Sequence, residues 1–258
     1  MSTQGAPPDT LRHDRDRGVS LLDSDRAYAA LRGDILMGVH PPGGALRLSD
    51  LRQRYRIGPS PLREALFRLT SQRLVKQESN RGFRVPPLHP AEWADVVATR
   101  RHLEPAAAAA SVAAGDEAWE ETLILAHRRL GRLGSVSTLL EDPADSASIA
   151  RWEAAHRGFH RALIAACGSA WTLNFCDLLA DQFDRYRRFF PPSRAVQDTL
   201  GAQHDALLQA ALDRDAKTFR EMLESHVEIT GRAVAAGLAS GDMARCVHTT
   251  VPPSTSKS

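Results

Sequence analysis

In the segment RWEAAHRGFHRALIAACG, Glu153, His156 and His160 stand at positions i, i+3 and i+7. At about 100° per residue all three fall on one helix face. Two histidines four residues apart project their imidazoles side by side, a spacing that suits a metal ion. His204, in GAQHDALL, and His226, in LESHVEIT, lie on two later helical segments with a short connection between them. Such segments pack as antiparallel neighbours, so His160, His204 and His226 converge on a shared site, with His156 or Glu153 beside it. The competing reading is of ordinary histidines satisfied in a core or on a surface, and His102 and His127 are taken that way.

Two kinds of chemistry compete for this cluster. A metal-dependent hydrolase of the HExxH type needs Glu directly after the first His as general base. Here Arg157 follows His156, and no G-x-S-x-G or phosphate-loop pattern supplies a nucleophile or a phosphate cradle. A closed helical bundle holding a metal beside arginines fits an anion sensor better. Arg185, Arg187 and Arg188 in DQFDRYRRFF, and Arg100 in RRHLE, are the candidate guanidinium groups for a carboxylate. Their plainer role is in surface ion pairs, for example with Asp181.

A different chemistry is written near the N-terminus. RIGPSPLREALFRLTSQRLV opens with residues that cannot continue a helix and then becomes amphipathic. Leu62, Leu66 and Leu69 make a buried stripe, while Arg63 and Arg68 lie off it. Ser60 is placed to cap the helix and Pro61 to sit at its first position, where a missing N–H costs nothing. A helix of this kind enters the DNA major groove by its N-terminal end, which also offers free backbone N–H groups to phosphate. Arg63, in the first turn, can fork onto guanine or clamp a phosphate. Its alternative partners are Glu64 and Asp50. Ser60 can touch a phosphate as well as cap. Arg52, Arg54 and Arg56 on the preceding helix suit phosphate contacts, as do Arg81, Gly82 and Arg84 in a wing, and Arg68 is a phosphate contact or plain surface.

The elements that must position these residues follow from pattern. Residues 1–20 are polar with no hydrophobic period and are expected to form a disordered arm. From Ser24, a plausible N-cap, Tyr28, Leu31 and Ile35 repeat with helical spacing. Pro41-Pro42-Gly43-Gly44 ends that helix. Ser49 is placed to cap a short second helix with Leu51 and Tyr55 facing inward. The third helix starts at Ser60, and short β segments at 74–77 and 83–85 follow, joined by a polar loop ending in Gly82. Residues 21–88 therefore read as a winged helix-turn-helix. Residues 89–240 read as an all-α antiparallel bundle of helices near 90–114, 116–133, 146–167, 169–190, 194–213 and 215–239. Residues 241–258 read as a disordered tail. The fold class is mainly α.

Composition agrees with that division. Residues 1–88 carry 15 Lys+Arg against 9 Asp+Glu, and the remaining 170 carry 18 against 22. A basic N-terminal part on a mildly acidic body suits one part meeting a polyanion. Cys167, Cys176 and Cys246 are scattered and odd in number, which reads as reduced thiols in a cytoplasmic protein. Nothing resembles a secretory leader or a membrane span.

The motifs resemble a known family. AYAALRGDILMG, PPGGALRLSDL, YRIGPSPLREALFRL and RLVKQESNRGFRV are similar to the DNA-binding domain of GntR-type bacterial transcription regulators. TRRHLEPAAAAA, AAHRGFHRALIAACGS and the two late histidines resemble the FCD effector domain of the FadR subgroup. The resemblance runs over about residues 24–238. It implies a homodimer on a palindromic operator, an organic-acid effector in the bundle, and release from DNA when that effector binds. It also implies a divalent metal, zinc or nickel, held by an Asp and three His. Carried over, the histidines are His160, His204 and His226. His156 stands where the family has Asp, so either His156 or Glu153 completes the set. The closest subgroup represses glutarate and related dicarboxylate catabolism. In the DNA-binding part, Gly58-Pro59-Ser60-Pro61 stands where the family often has Ser-Arg-Thr-Pro, so one arginine is missing. Arg73 replaces the glycine that usually closes the recognition helix, implying a blunter helix end.

Overall fold

The computed structural model describes residues 10–78, 82–134 and 146–241, with the backbone alone for residues 10–21 and 146. The chain divides into two units, Met1–Leu36 with His40–Pro87, and Met37–Val39 with Leu88–Ser258. No helix of the described residues is long and apolar enough to cross a membrane.

The first unit is built on α1 (Thr10–Leu36), α2 (Leu48–Tyr55) and α3 (Pro59–Ser71), with β1 (Ala45–Leu46), β2 (Lys76–Glu78) and β3 (Gly82–Arg84). The helix expected from Ser24 begins fourteen residues earlier, so residues 10–20 are helical and not a disordered arm. A missing hydrophobic period marks a face that has nothing to pack on. It does not stop a helix already nucleated downstream from extending through proline-free sequence. Residues 1–9 lie outside the described residues. Ala27, Leu31 and Ile35 of α1 meet Leu51, Ile57, Leu62, Ala65, Leu66 and Leu69 in one core, closed by Leu74, Val75, Phe83 and Val85.

None of the three serines expected as caps serves as one. Ser24 lies inside α1, where its hydroxyl donates to the Glu64 carboxylate. The N-cap of α2 is Arg47, and Ser49 Oγ donates to Asp50 Oδ1 at 2.9 Å. Gly58, in extended backbone, takes the N-cap of α3 and places Pro59, not Pro61, at the first helical position. The turn between α2 and α3 is made by Arg56, left-handed at φ 55°, whose N–H reaches Arg52 O at 3.0 Å. Arg73 also takes the left-handed region, at φ 59°. Leu74 N donates back to Leu69 O at 3.1 Å, which closes α3 in a Schellman turn. The expected blunt helix end does not occur, because arginine adopts the conformation that glycine would have taken.

The sheet has strand order β1-β3-β2, antiparallel throughout, with Leu46 opposite Phe83 and Gln77 opposite Phe83 on the other side. The β2 and β3 strands are the expected hairpin. β1 has two residues, too few to show a period, and it joins the sheet because the tight turn before it brings the chain back. A Cβ on Gly44 would lie 2.8 Å from Pro41 O, so that turn needs glycine.

The second unit holds α4 (Pro90–Ala114), α5 (Glu117–Gly131), α6 (Ser146–Leu163), α7 (Ala170–Phe189), α8 (Arg194–Leu212) and α9 (Ala216–Ser240). Each matches an expected helix to within a few residues because the punctuation is chemical. Asp116 accepts from Trp119 N, Ser169 from Thr172 N and Asp215 from Thr218 N, so three of the helices start on side-chain caps. One core joins Trp119, Leu123, Trp152, Phe159, Leu163, Leu207, Phe219 and Leu223. A second packs Trp93, Val96, Phe183, Tyr186, Phe189 and Val227 between α4, α7 and α9. Part of the 134–145 connection, and the tail beyond Gly241, lie outside the described residues.

Candidate functional site

In the first unit the candidate residues divide by what already holds them. Arg63 is exposed in the first turn of α3, and among the described residues it has no hydrogen-bond or ion-pair partner. Its two expected competitors are otherwise engaged, Glu64 by Ser24 and Asp50 by Ser49. Ser60 is exposed beside it. Because Pro59 and Pro61 carry no N–H, Ser60 supplies the one donor among the first three residues of α3. The anion-binding end of this helix is therefore thinner than expected. Arg52 and Arg56 are exposed on and just after α2. Arg54 donates Nε to Asp34 Oδ2 at 2.9 Å, and the same carboxylate takes the Tyr55 hydroxyl at 2.7 Å.

Arg68, also exposed, is engaged on α1. Its Nη1 meets Asp25 Oδ1 at 3.0 Å and its guanidinium lies 3.8 Å from the Tyr28 ring centroid, both on α1. The stripe that buries Leu62, Leu66 and Leu69 puts residue 68 on the α1 side. In the wing, Gly82 opens β3 at φ 82°, and Arg84 bonds Glu78 at 3.2 Å as well as the Gly43 carbonyl. Arg81 lies outside the described residues.

In the second unit a cavity of about 410 Å³ is lined from α4, α5, α6, α7, α8 and α9. His156 and His160 of α6, His204 of α8 and His226 of α9 meet there, with one ligand atom from each within 4.8 Å of all the others. His156 Nε2 and His160 Nε2 stand 3.1 Å apart, and His226 Nδ1 faces Gln203 Oε1 at 3.0 Å. Two buried nitrogens, His160 Nδ1 and His204 Nε2, have no partner among the described residues. Burial, then the neighbouring imidazoles and arginines, hold His156, His160 and His226 well below the ordinary imidazole range. Burial pushes His204 down to about 4. All four rings are therefore neutral near pH 7, the state in which imidazole binds a metal.

Of His156 and Glu153, it is His156 that lies with the other three histidines. Glu153 is taken by Arg187 of α7 in a half-buried ion pair that Asp184 shares at 3.3 Å. The His156 ring stacks on Trp152, 4.7 Å between centroids at 16°. His127, read as ordinary, lines the same cavity and pairs with Asp205 at 2.9 Å without joining the cluster. His102 is exposed and bonds Ala98 O, as expected.

Among the candidate arginines, Arg100, Arg187 and Arg188 line the cavity and Arg185 does not. Arg185 is fully buried with Nη1 on Gln182 Oε1 at 3.0 Å. On α7 the cavity side carries Phe183, Asp184 and Arg187, and residue 185 falls about 100° from Asp184, away from that arc. Arg100 is held by Glu104 through two bonds of 2.6 and 2.9 Å and lies over the Phe183 ring at 3.9 Å. Arg157, read from the sequence only as the residue in place of a HExxH glutamate, also lines the cavity and is clamped by Asp181 and Asp184. The signal was present, since Glu153, His156, Arg157, His160 and Arg161 make one stripe with i, i+3 and i+4 spacing.

Residues 23–85 match the gntR family of bacterial regulatory proteins, and residues 95–229 match the FCD domain. The chain belongs to the GntR family of regulators and carries an FCD domain. It is 37% identical over 209 residues to BphR of Paraburkholderia xenovorans, an uncharacterized HTH-type transcriptional regulator, covering 81% of this chain and 83% of BphR. It is 31% identical over 204 residues to the HTH-type transcriptional repressor GlaR of Escherichia coli K12, covering 78% and 90%. McbR/YncC of E. coli shares the fold at TM-score 0.68 and 19% identity, over 85% of this chain and 98% of that one. A GntR regulator from Rhodococcus sp. RHA1 does so at 0.67 and 19%, over 83% and 97%. This GntR-family chain is thus a DNA-binding transcriptional regulator with an effector domain, not an enzyme, and the hydrolase alternative finds no support. Arg157, in the position a HExxH general base would need, is bound to two aspartates.

Proposed function

We propose that this regulator is a repressor that binds a palindromic operator as a homodimer and lets go when a small dicarboxylate, of the glutarate size, enters the helical cavity. The observation that carries the reading is the cluster of four neutral histidines with unpartnered nitrogens inside a cavity of about 410 Å³. Four imidazole donors suit zinc or nickel and fit poorly with magnesium or calcium, which prefer oxygen. A divalent ion there would supply a positive centre for a carboxylate. Four neutral ligands leave the charge of such an ion uncompensated, so a dianionic effector is the natural counter-charge. Arg100, Arg157 and Arg187 are already matched by Glu104, Asp181, Asp184 and Glu153. GlaR, by its name a transcriptional repressor, supports repression as the direction of control.

Metal analysis of protein purified without a histidine tag is the first test, expected to give about one zinc or nickel per chain. A thermal-shift series of C4 to C6 dicarboxylates on metal-loaded and chelator-treated protein is the second. Binding to the folded state raises the melting temperature. A shift with loaded protein that disappears with His204→Ala supports the site. No metal together with no shift for any dicarboxylate sinks the reading.

A further inference from the structure

Near the end of α7, Tyr186, Arg187 and Arg188 follow one another, and their side chains reach three sets of partners. Arg187 turns into the cavity, where it holds Glu153 of α6 and Asp184. Arg188 donates Nε to Met37 O at 3.2 Å, and Met37–Val39 pack with the helical unit. Tyr186 points to the start of α4. Its hydroxyl accepts from His89 N at 2.9 Å and faces two acceptors, Glu92 Oε2 at 2.6 Å and His89 O at 3.1 Å. His89 is the N-cap of α4, one residue beyond Leu88, where the chain crosses from the DNA-reading unit into the helical one.

We propose that Tyr186 is a positioning residue that couples occupancy of the cavity to the first turn of α4, and through the chain at Leu88 to DNA release. The inference rests on the cavity being an effector site. A charged occupant of the cavity alters the balance among Arg187, Glu153 and Asp184, which reseats that turn of α7. Tyr186 is the next residue and cannot absorb the movement, because its ring is fully buried against Trp93, 5.1 Å between centroids. Trp93 is pinned in turn by its Nε1 on Gly231 O at 2.9 Å. A Cβ on Gly231 would stand 2.8 Å from Val97 Cγ1, so α4 and α9 are already as close as glycine permits. What can change is the hydroxyl: one proton, two acceptors, two discrete arrangements. Such a two-state element is what coupling between sites requires.

The test is amide hydrogen exchange in a peptide covering residues 88–94 of the full-length chain, in wild type, Glu153→Gln, Tyr186→Phe and the double variant. Glu153→Gln loosens Arg187 without any ligand. It is expected to raise exchange at the start of α4 about tenfold when Tyr186 is present and less than about twofold in the Tyr186→Phe background. Equal effects in both backgrounds overturn the proposal, since a merely structural tyrosine gives additive changes. If Tyr186→Phe does not fold, Glu92→Ala, which removes the nearer acceptor and keeps the ring, takes its place in the cycle. With zinc and glutarate as the probe, Tyr186→Phe is expected to show the wild-type thermal shift yet need about tenfold more glutarate to release operator. Release at the wild-type glutarate concentration counts against the coupling. A wild type that ignores glutarate removes that effector and leaves the exchange result to stand or fall alone.

Discussion

Arg63 of the first unit and the arginines around the helical cavity are held in opposite ways. On α3 the guanidinium of Arg63 is exposed and uncommitted among the described residues, as a group must be if it is to meet a polyanion from solution. Around the helical cavity, Arg100, Arg157, Arg161 and Arg187 each stand against a carboxylate. A surface that grips DNA needs its charge available at once. A cavity that must switch keeps its charges balanced until a ligand redistributes them. The same residue type thus stands free at Arg63 and matched by carboxylates around the cavity.

The sharpest way to break the comparison is to remove one member of a buried pair. Arg100 and Glu104 have side-chain exposures of only 8% and 6%. Glu104→Ala leaves a guanidinium buried without its counter-charge and should cost about 3–5 kcal/mol in a urea unfolding titration. Replacing both by apolar residues of similar size should restore most of it, because the desolvation penalty goes with the charges. In the DNA-reading unit, Asp25→Ala removes the exposed partner of Arg68 and should cost about 0–1 kcal/mol. Equal losses at the two sites would end the distinction.

Next in size is the response to acid. In metal-free protein the four cluster histidines are held neutral by burial, with folded values below the ordinary imidazole range. The unfolded chain therefore takes protons first as pH falls through about 6.5. Stability is full above that pH and is lost on the way down, at about 1.4 kcal/mol per unit for each histidine that stays neutral. For His204 the loss continues to its value of about 4, roughly 3 kcal/mol in all. His204→Gln should flatten the profile of unfolding free energy between pH 6.5 and 4.5 by the share of one histidine. A profile that instead rises toward acid would mean that the cluster is charged and paired.

These two tests bear on what the sequence could reveal. The histidines were legible because a helix repeats every 3.6 residues and each ligand helix carried its own period. That His156 joins the cluster while Glu153 pairs elsewhere was not, because it depends on Arg187, which lies on α7 more than thirty residues away. Arg185 and Arg187 look equivalent in DQFDRYRRFF, and only the rotation of α7 against α4 and α6 separates a buried arginine from a cavity one. Local rules also misplaced the caps. Ser24, Ser49 and Ser60 each stand at a plausible helix start, yet Arg47 and Gly58 took two of the starts, and α1 ran on past the third. Capping preference is worth about 1 kcal/mol, less than the burial of Leu31, Ile35, Leu62 and Leu66 that sets where these helices lie.

The finest test stays within one helix. Arg63 and Arg68 both sit on α3, off its apolar stripe, and sequence alone gives each a claim on DNA. The structure separates them, since Arg68 is spent on Asp25 and the Tyr28 ring. Arg63→Ala should weaken operator binding by about 1–3 kcal/mol in fluorescence anisotropy and relax sequence preference at one base pair per half-site. Arg68→Ala should leave affinity within about 0.5 kcal/mol, because it removes only surface packing. The salt dependence divides them further. If Arg63 reads a base, its loss leaves the slope of log affinity against log salt nearly unchanged, whereas the loss of a phosphate contact lowers that slope by about 1. Should Arg68→Ala lower the slope while Arg63→Ala does not alter affinity, the exposed guanidinium is idle and the committed one meets the phosphate. The rule that availability marks the DNA-reading residue would then fail at the helix that suggested it.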